Sequence, residues 1–441
     1  MSTASRLVDA TIVTQDRAGT VIPNGEVAFD THGVITYVGP ARGPAGPEDH
    51  HLPDAVLLPG LVNAHTHSAM TLLRGSCDDA DLATWLGVVQ SLEQHMSAAD
   101  VAIGLRLAMV EMLHSGTTTF ADMYHWDANL LGLVTEAGMR VSAAHAVFDF
   151  DSVAFPAVSQ MSGRDALTHT EELAKEFAGD DRVQLRYGPH APYTCPPDML
   201  AEVATRAQHT GLGVHIHLAE SDFEVRNTLK TYGRRPILHA DHAGLFRVPV
   251  LVAHAVHASR EEVELLASRD AAVGHNPVSN LKLGSGVAPL ASLRDAGVSL
   301  GLGTDGAASN NSMDLLEEVK MGALIHRGVA QDPEQITATD VLNMATSSGA
   351  RAVGYPHVGV LEPGRWADIV AVRTDTAQAT PLFSAPAFLT FSARGSDVRE
   401  VFIGGMHVLR NGELTTINET TVREEAAEAA QQLARLAADQ R

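Results

Sequence analysis

The sequence predicts an α/β barrel of eight strands joined to a small β domain assembled from both ends of the chain. Three observations carry that expectation. Between residues 55 and 304, apolar strand-like segments alternate with stretches of helical period, the pattern of repeated βα units. Short β-rich segments punctuated by turn residues lie on either side of this region. Imidazoles and carboxylates stand where several of the apolar segments end, which is where barrels gather functional groups.

Composition narrows the function classes. With 441 residues the chain exceeds a single ordinary core, and 45% hydrophobic against 19% charged residues reads as a folded, soluble protein. The formal charge of −22 repels phosphate backbones and so argues against a nucleic acid polymer as partner, without excluding a small nucleoside. Cys77 and Cys195 are too few for a disulfide framework, and MSTASRLVDA lacks the apolar stretch of a signal peptide, so a cytoplasmic location is expected. Apolar runs break at Gly, His or Asp well short of a membrane span. Assembly into a homo-oligomer is left open.

In chain order, residues 8–13, 26–29 and 34–38 are β-rich and are divided by Asp16-Arg17-Ala18-Gly19, Pro23-Asn24-Gly25 and His32-Gly33. The eight barrel strands are expected at 55–64, 117–123, 139–147, 183–189, 213–218, 250–253, 271–274 and 298–304. Helices at 98–114, 198–210, 260–269 and 313–327 show apolar residues at helical spacing. An open doubly wound sheet would carry a Gly-rich phosphate loop after its first strand, and histidines occupy that place. A helical stretch at 337–353 leads back to β texture at 359–372, and a hairpin at 398–403 and 406–410 turns on Gly404-Gly405. Residues 422–436 form an Ala/Glu-rich helix. The expected units are 1–56 with 357–420 as the composite β domain, 57–356 as the barrel and 421–441 as a terminal helix.

The chemistry gathers at the strand ends. LPGLVNAHTH at 58–67 ends in His65 and His67, which share one face of a strand because side chains alternate. Strand five repeats the device with His215 and His217, and Glu220 lies just beyond; His254 ends strand six and Asp305 follows strand eight. Alone, each is as readily a core histidine or a turn aspartate. Together, at one end of successive strands, imidazoles and a carboxylate are the donor set for a divalent ion, Zn²⁺ first, with Fe²⁺ and Mn²⁺ as other candidates.

The motifs LPGLVNAHTH, HLAE, VAHAVH, HNPVSNLKLGSG and GTDGAASNN, in this order, resemble those of the amidohydrolase superfamily, and within it the 5′-methylthioadenosine/S-adenosylhomocysteine deaminases. The resemblance runs from about Leu57 to Ala371 and implies a distorted (β/α)₈ barrel of the TIM type with a β-sandwich built from both termini. It makes His65, His67 and His217 metal ligands with Asp305 as the fourth protein group. Binuclear members use a carbamylated lysine at the end of strand four; none of Lys175, Lys230, Lys282 and Lys320 falls there, so a single metal is expected.

Such a site implies a hydrolytic deaminase in which hydroxide formed at the metal attacks C6 of an adenine ring and ammonia leaves. Asp305 takes the water's proton, His254 orients the attacking oxygen, and Glu220 protonates a ring nitrogen and later the leaving amine. The family pattern places Glu93 on the ribose hydroxyls and His190 on the substrate, and Trp85 is a candidate cover for the purine face. Family members usually carry a second tryptophan and a proline just before the glutamate, and Val88-Val89-Gln90-Ser91 has neither. Within 148–164, where a 5′ group would be met, Arg164 is the one arginine, which favours adenosine or an uncharged 5′ substituent over S-adenosylhomocysteine. A second enzyme reading is a hydrolase of another amino- or halo-substituted heterocycle, such as guanine, cytosine, a pterin or a triazine. A reading of another class is a barrel without catalysis that serves as a binding protein.

Overall fold

The computed structural model describes residues 4–47 and 49–438. Its N-terminal strands are β1 (Ser5–Val13), β2 (Val21–Phe29), β3 (Ile35–Pro40), β4 (His50–His51) and β5 (Ala55–Pro59). Eight barrel strands follow: β6 (Leu61–Thr66), β7 (Thr117–Tyr124), β8 (Arg140–Val147), β9 (Val183–Pro189), β10 (Gly213–Leu218), β11 (Val250–His254), β12 (Ala272–His275) and β13 (Ser299–Leu302). The chain then gives β14 (Ile369–Arg373), β15 (Val398–Ile403), β16 (Met406–Arg410) and β17 (Glu413–Leu414). Four helices matter below: α1 (Leu82–Glu93), α2 (Ala98–His114), α3 (Asp222–Tyr232) and α4 (Glu419–Ala438).

The two chain ends build one sheet in the order β17-β16-β15-β14-β5-β1-β2-β3, with β4 beside β1. It folds over its own core, so that Phe29 of β2 meets Phe402 of β15 at a ring separation of 5.8 Å. The second sheet runs β13 to β6 in unbroken sequence order, parallel throughout, with helices between strands. This is the distorted barrel that the sequence predicts.

One expected strand is two. Residues 55–64 split at Gly60, where β5 joins the terminal sheet and β6 enters the barrel. A side chain at Gly60 would sit 2.2 Å from Thr118 Oγ1, so only glycine lets the chain pass from one sheet to the other here. Alternation then couples the two units. Ala55 and Leu57 pack into the core of the terminal sheet, while Val56 and Leu58 pack into the barrel's main core.

Helix α1 was not expected from the sequence; Asp81 caps it by accepting from Thr84 N at 2.8 Å. The expected stretch 337–353 is two helices, Ala338–Met344 and Ser347–Val353. The last helix, α4, buries Val422, Ala426, Ala429 and Leu433, one stripe at helical spacing, and ties to α2 through Arg106–Glu425 at 2.5 Å and His114–Glu419 at 2.8 Å. Residues 439–441, the end of the expected terminal helix, lie outside the described residues. Among the described residues, no helix is long and apolar enough to cross a membrane.

Candidate metal centre and active site

The barrel closes between its first and last strands without a regular ladder. Asp305 N donates to His65 O at 3.0 Å, Thr304 N donates to Asn63 Oδ1 at 3.1 Å, and Asn63 Nδ2 donates to Thr304 Oγ1 at 2.7 Å. This seam brings the ends of β6 and β13 together, and with them three of the expected ligands. Asp305 Oδ1 lies 3.3 Å from His67 Nε2 and 3.5 Å from His65 Nε2. From β10, His217 Nε2 approaches His67 Nε2 to 3.3 Å.

Left-handed backbone recurs at the same strand ends. Ala219 (φ 54°), His254 (φ 74°) and Asp305 (φ 59°) are left-handed although none is glycine, a conformation that costs on the order of 1–2 kcal/mol at each residue. At or just past each strand end, the side chain of His254 or Asp305, or of Glu220 after Ala219, lines one cavity.

The hydrogen bonds around the imidazoles fix what they can hold. His67 Nδ1 donates to Met123 O at 2.6 Å and His217 Nδ1 donates to His190 O at 2.8 Å, because a carbonyl accepts only. Their Nε2 atoms therefore face one another, and burial holds His217 well below the ordinary imidazole pKa. Two lone pairs meeting at this distance repel unless a cation lies between them. His65 repeats the case: its Nδ1 pairs with His215 Nε2 at 2.9 Å, its Nε2 is buried with no hydrogen-bond partner, and burial lowers its pKa to about 3. Burial alone would raise Asp305, but His65, His254 and His67 bring it well below the carboxylate range. Ligand atoms of His65, His67 and His217 lie within 4.8 Å of one another, as do those of His65, His254 and Asp305, and imidazoles with a carboxylate so grouped fit a divalent cation.

Glu220 and His254 stand beside this centre. Burial raises the Glu220 carboxyl, which lies 3.9 Å from His254 Nε2. Burial would lower His254, yet the carboxylates of Glu220 and Asp305 and a hydrogen bond to Asn280 Oδ1 at 2.9 Å carry it upward. The cavity opens onto His67, His217, Glu220, His254 and Asp305, and is walled by α1 and by apolar side chains including Met70, Phe148 and Phe155.

The model of the amidohydrolase family matches residues 56–408. This chain belongs to the amidohydrolase family. The 5-methylthioadenosine/S-adenosylhomocysteine deaminase of Moorella thermoacetica is 42% identical over 419 residues, 93% of this chain and 95% of that protein. The 5′-deoxyadenosine deaminase of Methanosarcina barkeri is 38% identical over 426 residues, 96% and 97% of the two chains. The crystal structure of an adenosine deaminase from Xanthomonas campestris with bound zinc superposes with a TM-score of 0.93 at 31% identity, covering 98% of this chain and 99% of that one.

The remaining expected residues of this amidohydrolase line the same cavity. Glu93, at the end of α1, is half-buried, desolvation raises its carboxyl, and Tyr124 donates to its Oε1 at 2.7 Å. Thr194 Oγ1 donates to Ala191 O, so it accepts from His190 Nδ1 at 3.0 Å and leaves His190 Nε2 as an acceptor; burial lowers this imidazole to about 3. Trp85 is buried, faces the cavity and donates to Ala308 O at 3.1 Å, so its ring is held from behind. Arg164 lies outside the cavity lining, exposed and stacked 4.0 Å over the Phe150 ring.

Sequence reasoning missed the residues that hold these in place. Asn280 and Asn276 flank His254 Nδ1 at 2.9 and 3.2 Å, and Ser279 Oγ donates to Asp305 Oδ2 at 2.6 Å. All three come from HNPVSN, a motif visible in the sequence but without an assigned role. Nothing local pointed to Tyr124 or to Asn63, whose partners lie 31 and 241 residues away.

Proposed function

We propose that this amidohydrolase is a hydrolytic deaminase that converts adenosine or a 5′-modified adenosine to the inosine analogue and ammonia, with one zinc ion held by His65, His67, His217 and Asp305. The observation that carries this reading is a buried carboxyl, Glu220, in the same cavity as the ligand cluster, with a second carboxylate, Glu93, on the cavity's α1 wall. When bound, a divalent ion supplies a water acidified toward neutral pH and a positive charge beside the reacting carbon.

Glu220 gives its proton to a ring nitrogen, which makes the adjacent C6 more electrophilic, then takes the hydroxyl proton of the tetrahedral centre and passes it to the departing amine, the proton held by Asp305 restoring the acid for the next turnover. Its raised pKa keeps that proton available in a buried site. Asp305 accepts the proton of the attacking water. His254, held by Asn280, donates to the attacking oxygen as charge develops on it. Glu93 accepts from the vicinal ribose hydroxyls, and His190 Nε2 meets the substrate from β9. Strand β9 ends Gly188-Pro189-His190 with no lysine, which supports a single ion.

Among the described residues that line the cavity there is no lysine or arginine, so an uncharged 5′ group is the proposed preference. Unpaired Cys77 and Cys195 fit a reducing compartment, and the cytoplasm is the proposed setting. An ammonia-release panel of adenosine, 5′-deoxyadenosine, 5′-methylthioadenosine, S-adenosylhomocysteine, adenine, guanine, cytosine, pterins and triazines tests the reading. The highest kcat/KM is expected for a nucleoside with an uncharged 5′ group. A free base or triazine as best substrate overturns the nucleoside assignment, and S-adenosylhomocysteine as best nucleoside overturns the 5′ preference.

A further inference from the structure

The start of α3 carries a helix-capping signature whose glutamate goes elsewhere. Ser221 Oγ accepts from Glu224 N at 3.2 Å, and Ser-x-x-Glu is the pattern in which the glutamate returns to the N–H of the capping residue. Other helices of this chain close that box, pairing Ser97 with Asp100, Ser259 with Glu262 and Thr337 with Asp340. Glu224 reaches past Ser221 instead. Its Oε1 accepts from Ala219 N at 2.9 Å and its Oε2 from Glu220 N at 2.8 Å.

Those two N–H groups belong to the turn that aims Glu220. Because Ala219 is left-handed, the consecutive N–H groups converge on one side, an arrangement that cradles an anion. On the other side, Leu218 O accepts from Ala255 N at 3.1 Å and Ala219 O from His257 N at 2.8 Å, so the turn is held from both faces. Ala219 and Glu224 are fully buried, and without the carboxylate two N–H groups would be left in the interior with no acceptor.

We propose that Glu224 is a positioning residue for Glu220: its buried carboxyl group clamps the strained Ala219–Glu220 turn and thereby fixes the Glu220 carboxyl against the substrate ring. The proposal rests on the acid role given to Glu220 above. Two acceptor oxygens match two donors; a glutamine offers one oxygen and sets its own N–H against the other donor. A displacement of the turn by a fraction of an ångström leaves substrate binding and the ligand cluster in place but misaligns proton transfer.

A double-mutant cycle on the metal-loaded enzyme with adenosine as substrate tests this. Glu224→Gln is expected to lower kcat by about 10–100-fold, with KM within about threefold and metal content unchanged. In the Glu220→Gln background the same substitution is expected to cost less than about threefold, because the group it positions is already gone. Ser221→Ala, which removes the cap but not the clamp, is expected to lower Tm and leave kcat unchanged. Equal fold losses in both backgrounds, or wild-type kcat for Glu224→Gln, overturn the clamp. Full activity of Glu220→Gln by itself overturns the acid role and the clamp with it, whereas loss on Glu220→Gln without loss on Glu224→Gln overturns the clamp alone. If Glu224→Gln does not fold, Glu224→Asp enters the same cycle with the same expected pattern.

Discussion

The backbone N–H of Asp305 donates to the carbonyl of His65 across 3.0 Å, and this bond joins the first and last strands of the barrel at the point where both deliver a candidate ligand. The contact that closes the barrel therefore also brings the two groups together. The imidazoles that meet there are held from behind, His67 by Met123 O, His217 by His190 O and His65 by His215.

The pair of His65 with His215 predicts a metal-affinity effect without loss of fold. Replacing His215 by phenylalanine removes the partner that orients His65, and metal affinity is expected to fall about 10–100-fold. Competition with a chromogenic chelator reads the affinity, and circular dichroism reads the fold. Unchanged affinity would mean that packing alone orients His65.

Removing the acid should separate chemistry from metal binding. Glu220→Gln is expected to retain stoichiometric metal and a KM within a few fold, while kcat drops by about 10²–10⁴. Loss of the metal along with activity would instead place Glu220 among the ligands.

Glu93 accepts from Tyr124 and has an oxygen left for substrate. If that oxygen holds ribose, Glu93→Gln should raise KM for adenosine at least about tenfold and leave any turnover of free adenine almost unchanged. Equal losses on nucleoside and base would count against the ribose role.

Stability should depend on pH through Glu26 in the terminal sheet. Arg6 donates to both of its oxygens at 3.0 and 2.9 Å and Arg42 adds further bonds, which together lower its pKa from 4.5 to about 2 although burial opposes this. A carboxylate depressed in the folded state stabilises fully above its unfolded pKa and loses that contribution as pH falls through its folded pKa. Glu26→Gln should thus cost about 2 kcal/mol at pH 7, discounted because Arg42 is half exposed, and the gap to wild type should shrink steadily below about pH 4.5. Urea unfolding at pH 7, 4 and 3 measures it; a gap that does not change with pH would assign the loss to packing.

Much of the fold and the centre is legible in the sequence because both rest on short periods. Alternation along one strand puts His65 with His67 and His215 with His217, and the order of apolar segments gives the barrel. Helix α1 escaped that reading because its pattern is irregular: Trp85 and Val89 are its buried residues, and their partners are the cavity and the short helix Ala307–Asn310. The break at Gly60 escaped it too, since two strands buried on both faces read as one apolar run.

By itself, then, the sequence placed the candidate donors at the ends of strands one, five and eight, His254 at the end of strand six and Glu220 three residues past His217. Tertiary structure decided how those groups are held. The seam between β6 and β13, the Asn280 contact to His254, the Tyr124 bond to Glu93 and the reach of Glu224 to the Glu220 turn each depend on how strands and helix starts are placed in space. A local period records which face a side chain takes, but carries no information about what stands opposite that face once the barrel has closed.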